Sequence, residues 1–311
     1  MRFRPSWHPV LALFLLASAS LAQTVVAPSA PAYPAGVATP LGQQVAAITA
    51  EPAVSRAHWG IAVTALDGTP IYGLNEGEFF RPASNNKLFT TAAAMHLLGP
   101  GTQLVTSVKM LKHEGTGLQA GVHGDDLLLE GHGDANLSGR TFPYRSPGEH
   151  RRLASLAAQQ GTTTTTPDPL RYLDELAAEI SKLVQHIPGN IIGDDTLWPW
   201  EPYANDWSID DAVWGYGAPV SALTIDDNQL DLTIEPAATV GKAASVKLFP
   251  TTDYYQLQAD VKTVAAKSPA SVRIDRAQGS HIVRVIGTVA VGEPYSTEIA
   301  IEDPAEFAAQ A

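Results

Sequence analysis

RPASNNKLFTTAAAMHLLGP, residues 81–100, sets a serine three residues before a lysine: Ser84-Asn85-Asn86-Lys87. An apolar, alanine-rich run follows at once. Positions i and i+3 of a helix share one face, with Cβ atoms roughly 5–6 Å apart. If Ser84 starts a helix, its hydroxyl and the Lys87 amine meet. A buried lysine gives up its charge readily, and a neutral amine beside a serine can take its proton. The positive end of the helix dipole would favour the alkoxide that results. The plainer reading is an ordinary helix start, because Pro82 and Ser84 are also residues that helix N-termini prefer. The spacing alone leaves both readings open.

The rest of the chain narrows the choice. Its 311 residues are 45% hydrophobic and 17% charged, a globular composition with enough apolar residues for a sizeable core. The net charge of −12 repels a polyanion, so nucleic acid is a poor partner. There is no cysteine, which removes disulfides, thiolate catalysis and cysteine zinc sites together.

Arg2 and Arg4, the apolar run PVLALFLLASASLA and the small residues before the end of Ser20-Leu21-Ala22 read as a signal peptide over 1–22. The run is too short to span a bilayer comfortably, so no membrane span is expected after cleavage. A Pro- and Ala-rich leader is expected over 23–45. WGIAVTALDGTPIYGLNEGE (59–78) alternates about Asp67-Gly68, a hairpin signal. Strands are expected in 104–115 and 118–134, and a polar loop over 159–169. Asp168-Pro169 then opens a helix whose face carries Leu173, Leu176, Ala177, Ile180, Leu183 and Val184. From 224 to 301 the pattern is short β segments: LDLTIEP, ASVKLFP, SVRIDRA, HIVRVIGTVA and YSTEIAI. Asp303 and Pro304 open a last helix.

Four stretches in order carry a resemblance. They are PASNNKLFTTAAAMHLLGP with the hairpin before it, LLLEGHGDANLS (127–138), PGNIIGDDTLW (188–198) and WGYGAPVSALTIDDNQ (214–229). Together they resemble the D-alanyl-D-alanine carboxypeptidase/endopeptidases of the peptidase S13 type, the class C penicillin-binding proteins. The resemblance implies an α/β (α+β) serine transpeptidase/β-lactamase-like domain with β-rich insertions. Residues 46–105 would be its first segment, 106–300 the inserted β-rich part, mainly strands around one helix, and 301–311 the start of the return. It implies Ser84 as the acylated nucleophile and Lys87 as its base. Peptidoglycan peptides ending in D-Ala-D-Ala would be the substrates and β-lactams the inhibitors, with no metal or organic cofactor. In relatives an aspartate shortly before the GAP segment binds the amine of the peptide's diamino acid. An ungapped count back from Ala218-Pro219 gives Asp211, with Asp210 the near alternative. Ser221 reads as structural, and His132, despite His123 nearby, as part of a glycine-rich turn beside Asp134.

The family's two further motifs, Ser-x-Asn and Lys- or His-Thr-Gly, do not occur after residue 230. The chain thus reads as the N-terminal part of a longer periplasmic or secreted enzyme. It carries nucleophile and base and is expected not to turn over peptide by itself. Two rival readings remain: a serine β-lactamase or esterase, and a non-catalytic cell-wall binding module.

Overall fold

A computed structural model describes residues 33, 39–112, 125–140, 143–145, 147–163, 168–205 and 207–311. The expected signal peptide, most of the leader, residues 164–167 of the polar loop and His123 fall outside them. The chain divides into two compact units, Met1–Pro100 and Gly101–Ala311, and each is described by itself.

In the first unit, α1 (Pro40–Thr49) starts with proline at its first position, and Thr39 Oγ1 accepts from Gly42 N at 3.0 Å. The helix begins inside the stretch whose composition reads as leader. β1 (Ile61–Thr64) and β2 (Pro70–Leu74) form the expected antiparallel hairpin, with Ile61 opposite Leu74. At its turn Gly68 has φ 87°, and Asp67 Oδ1 accepts from Thr69 N at 2.9 Å. That bond holds the Asp67 carboxyl below its ordinary value. A 3-10 turn, Ala83–Asn85, then leads into α2 (Asn86–Leu97).

The second unit opens with β3 (Ser107–Leu111) and β4 (Asp126–Glu130), which are antiparallel. Two helices follow, α3 (Pro147–Gln159) and α4 (Arg171–Leu183), before β5 (Ile191–Asp194) returns parallel to β4. The expectation of one helix in this region is corrected: α3 is the second. Its sequence has good helix formers but a short apolar stripe, Leu153, Leu156 and Ala157, which leaves little periodicity to read. On α4 Leu173 is buried, and Leu176, Ile180 and Val184 are half-buried; Leu183, expected on that face, is exposed.

The strand-rich remainder forms two three-stranded sheets. One has the order β11 (Tyr295–Ala300), β6 (Gln229–Glu235), β7 (Ser245–Phe249). The other has the order β8 (Gln256–Val264), β10 (Ile282–Ala290), β9 (Ser271–Asp275). All pairs are antiparallel except β8–β10. The five β segments quoted above are strands; β8 is not among them, because among its nine residues only Val261 and Thr263 are buried.

Alternation on β6 points Leu230, Leu232 and Ile234 into the core, where they join Val283, Val285 and Val289 of β10. α5 (Pro304–Gln310) begins as expected, with Asp303 Oδ1 accepting from Glu306 N at 2.9 Å. Its Phe307 is fully buried. A Cβ on Gly193 of β5 would collide with the Ala305 carbonyl, so glycine lets α5 lie directly against that strand. The buried Tyr254 and Tyr255 hydroxyls are satisfied by backbone groups of Asp303, Ala300 and Glu302. Among the described residues no helix is long and apolar enough to cross a membrane.

Candidate active site

Ser84 sits in the 3-10 turn that feeds α2. The Asn86 N–H closes that turn on the Ala83 and Ser84 carbonyls. Lys87, in the first turn of α2, donates from Nζ to Ser84 Oγ at 3.1 Å. A capping serine would instead accept from a backbone N–H two or three residues ahead. Neither cap residue here, Pro82 or Asn85, makes a side-chain cap bond. In this stretch the serine hydroxyl is engaged with the lysine and not with the helix end.

Just before the serine, Ala83 has φ 46°, a left-handed conformation that costs a residue with a Cβ roughly 1–2 kcal/mol. The Thr90 and Thr91 hydroxyls bond back to the Asn86 and Lys87 carbonyls, so local bonds settle this part of α2. Ser84 and Lys87 are both exposed. The burial of Lys87 assumed from the sequence is not provided by the described elements, because α2 buries none of its residues.

Asp210 and Asp211 lie in the second unit, side by side on a 3-10 turn, Ile209–Val213. Asp211 Oδ1 accepts from the Tyr216 hydroxyl at 2.9 Å, and that bond raises the phenol above its ordinary value. The turn folds back tightly because residue 217 is glycine: a Cβ there would collide with the Asp211 carbonyl. Asp210 takes the other side of the turn and lines a groove of about 620 Å³ with Tyr203, Trp207 and Trp214. The adjacent aspartates are thus sorted, one to a tyrosine and one to a groove.

Residues 41–311 match the D-Ala-D-Ala carboxypeptidase 3 (S13) family. The chain belongs to that family. It is 30% identical over 279 residues to a D-alanyl-D-alanine carboxypeptidase of Actinomadura sp. (strain R39), covering 87% of this chain and 45% of that protein. It is 25% identical over 192 residues to penicillin-sensitive carboxypeptidase A of Dictyostelium discoideum, covering 59% of this chain and 32% of that protein. The chain thus spans less than half the length of either relative. Its fold is similar to the crystal structure of penicillin binding protein 4 (dacB) from Haemophilus influenzae, with a TM-score of 0.56 and 19% identity over 80% of this chain and 48% of that one. The mixed helix-and-sheet architecture thus corresponds to about half of the fold of that protein.

The other marked residues of this S13 chain make local polar contacts. Ser221 donates to Asp195 Oδ2 at 2.8 Å and accepts from Leu223 N at 3.0 Å, which ties the Gly-Ala-Pro segment to the end of β5. His132 Nε2 lies 3.7 Å from Glu130 Oε2. Hydrogen bonds from Lys109 and Ser107 hold the Glu130 carboxyl below its ordinary value. Among the described residues no group of three or more His, Asp or Glu is placed to hold a metal ion. The sequence reading missed the groove beside Asp210. Its local signal was the tryptophan density of 198–214; its other wall, Arg273 on β9, lies 63 positions away from Asp210 and carried no signal.

Proposed function

We propose that this chain carries the acylating centre of a serine-type D-Ala-D-Ala carboxypeptidase/endopeptidase that acts on peptidoglycan peptides outside the cytoplasm and is blocked by penicillin. The observation that carries the reading is the 3.1 Å contact between Lys87 Nζ and Ser84 Oγ in a chain of the S13 family. Lys87, as the neutral amine, takes the Ser84 proton while Oγ attacks the carbonyl carbon of the penultimate D-alanine. The Ser84 N–H stabilises the oxyanion. Lys87 returns the proton to the departing D-alanine nitrogen, leaving an ester on Ser84 that water then hydrolyses. A β-lactam acylates the same oxygen by opening its ring. Asp211 binds the amine of the peptide's diamino acid, with Tyr216 orienting the carboxylate.

Competition tests the substrate class. A fluorescent penicillin is expected to label the protein, and Ac-L-Lys-D-Ala-D-Ala with a free side-chain amine to slow the labelling. The L-Ala-L-Ala counterpart is expected to have no effect, and Asp211→Asn to weaken the protection about tenfold. Equal protection by both peptides would overturn the substrate assignment; no labelling would overturn the chemistry.

A further inference from the structure

The groove beside Asp210 is built like a ligand site. Its volume, about 620 Å³, lies in the range of small-molecule pockets, roughly 300–1,000 Å³. One wall is the 3-10 turn 209–213 with the loop before it. The other is β9, an edge strand of its sheet. Arg276 joins the two walls from below. Its side chain is 3% exposed, ion-paired with Glu302, and donates from Nη2 to the Ala212 carbonyl at 2.8 Å. A buried guanidinium committed to both walls fixes the width of the groove.

The lining combines two kinds of surface. Tyr203, Trp207 and Trp214 offer aromatic faces; the Tyr203 and Trp207 rings are 6.2 Å apart and inclined at 51°. Trp207 is 42% exposed, unusual for so large an apolar side chain. Asp210, Gln278 and Arg273 stand around them, with Arg273 Nη2 held 2.8 Å from Asp275 Oδ2. These three supply a carboxylate, an amide and a guanidinium, which pair with neighbouring hydroxyl and acetamido groups. The C–H face of a sugar ring is apolar and weakly positive, so it sits on the negative face of an indole or phenol. Arg273 and Arg276 nearly balance Asp210, Asp275 and Glu302, which suits a ligand of little net charge. A polyanion is repelled by the net charge of −12.

We infer that this groove binds the amino-sugar backbone of the cell-wall glycan over about the length of a disaccharide. The inference rests on the peptidase reading for the origin of the sugar. The groove itself stands on its own geometry.

The test is titration calorimetry of the 311-residue chain with the uncharged, peptide-free amino-sugar disaccharide di-N-acetylchitobiose, with tryptophan emission as a second readout. Saturable binding in the range of about 1 mM is expected. Trp207→Ala should weaken it about tenfold, Arg273→Ala about threefold, and Trp207→Phe should keep it within about threefold. Arg273 has a side chain 74% exposed, so its variant carries the test if Trp207→Ala disturbs folding. Absence of saturable binding up to about 10 mM overturns the inference, as does equal affinity in Arg273→Ala or binding of the free stem peptide in place of the disaccharide. Penicillin labelling of the same samples separates the two claims. Labelling without sugar binding removes the groove and keeps the peptidase; sugar binding without labelling does the reverse.

Discussion

α2 and β6 are both apolar in sequence and have opposite fates. α2, with Leu88, Phe89, Met95 and Leu97, buries none of its 12 residues, and Phe89 is 73% exposed. β6 buries Leu230, Leu232 and Ile234 completely within seven residues. Ser84 and Lys87, proposed as nucleophile and base, sit on a turn and a helix that bury none of their residues, held by local rules: a 3-10 turn, the i, i+3 spacing and threonine back-bonds. The scaffold of the second unit is held by dense, non-local contacts. Chemistry and stability should therefore respond to different substitutions.

Four outcomes sharpen or break that contrast, the largest first. Lys87→Ala should lower the rate of acylation by benzylpenicillin about 10²–10⁴-fold, the usual range for losing a general base. Calorimetric Tm should barely move, since Lys87 is exposed and its bond to Ser84 is solvated. A large fall in Tm with little change in rate would invert the contrast.

Phe307→Ala should cost about 3–5 kcal/mol by urea unfolding, while Leu88→Ala on exposed α2 stays within about 0.5 kcal/mol. Similar losses at both sites would show that the two regions share one level of packing.

Next in size is a pH effect. Burial, then the charges of Asp231, Asp227 and Asp168, push the Asp226 carboxyl up to about 8 from an ordinary 3.8. Between those values the folded chain holds a proton that the unfolded chain has released. The stability tied to that proton is full below pH about 4 and is lost as pH rises through about 8. Asp226→Asn, which cannot ionise and tolerates the φ of 50° at this position, should raise Tm at pH 9 by roughly 2–4 °C or more and flatten its pH dependence. Parallel Tm–pH curves for parent and variant between pH 5 and 9 would remove Asp226 from the account. The smallest effect should come from Lys109→Ala. Lys109 reaches Glu130 at 2.5 Å with a side chain 54% exposed, and about 1 kcal/mol or less, fading in salt, is expected.

How far the sequence could be read follows the same divide. Features set by neighbours along the chain were legible: the Asp67-Gly68 hairpin, the Asp303-Pro304 helix start, the alternation of β6 and the spacing of Ser84 and Lys87. Features set by distant contacts were not. The exposure of Lys87 depends on what packs on α2, and no spacing records that. α3 was missed because its apolar stripe is too short to show a period. The left-handed run Asp226-Asp227-Asn228, with φ of 50°, 55° and 56°, has no strong local signature; Ser138 and Arg140 hold Asp227 from nearly 90 residues away. The groove joins Asp210 to Arg273 only after β9 has paired with β10.

The measurement that tests the central claim most directly is intact mass followed by peptide mapping, after benzylpenicillin, on the parent chain and on Ser84→Ala. The account predicts a single covalent adduct on the parent, mapped to the peptide containing Ser84, and none on the variant. An adduct on another residue, an equal adduct on Ser84→Ala, or no adduct on a folded parent would contradict it.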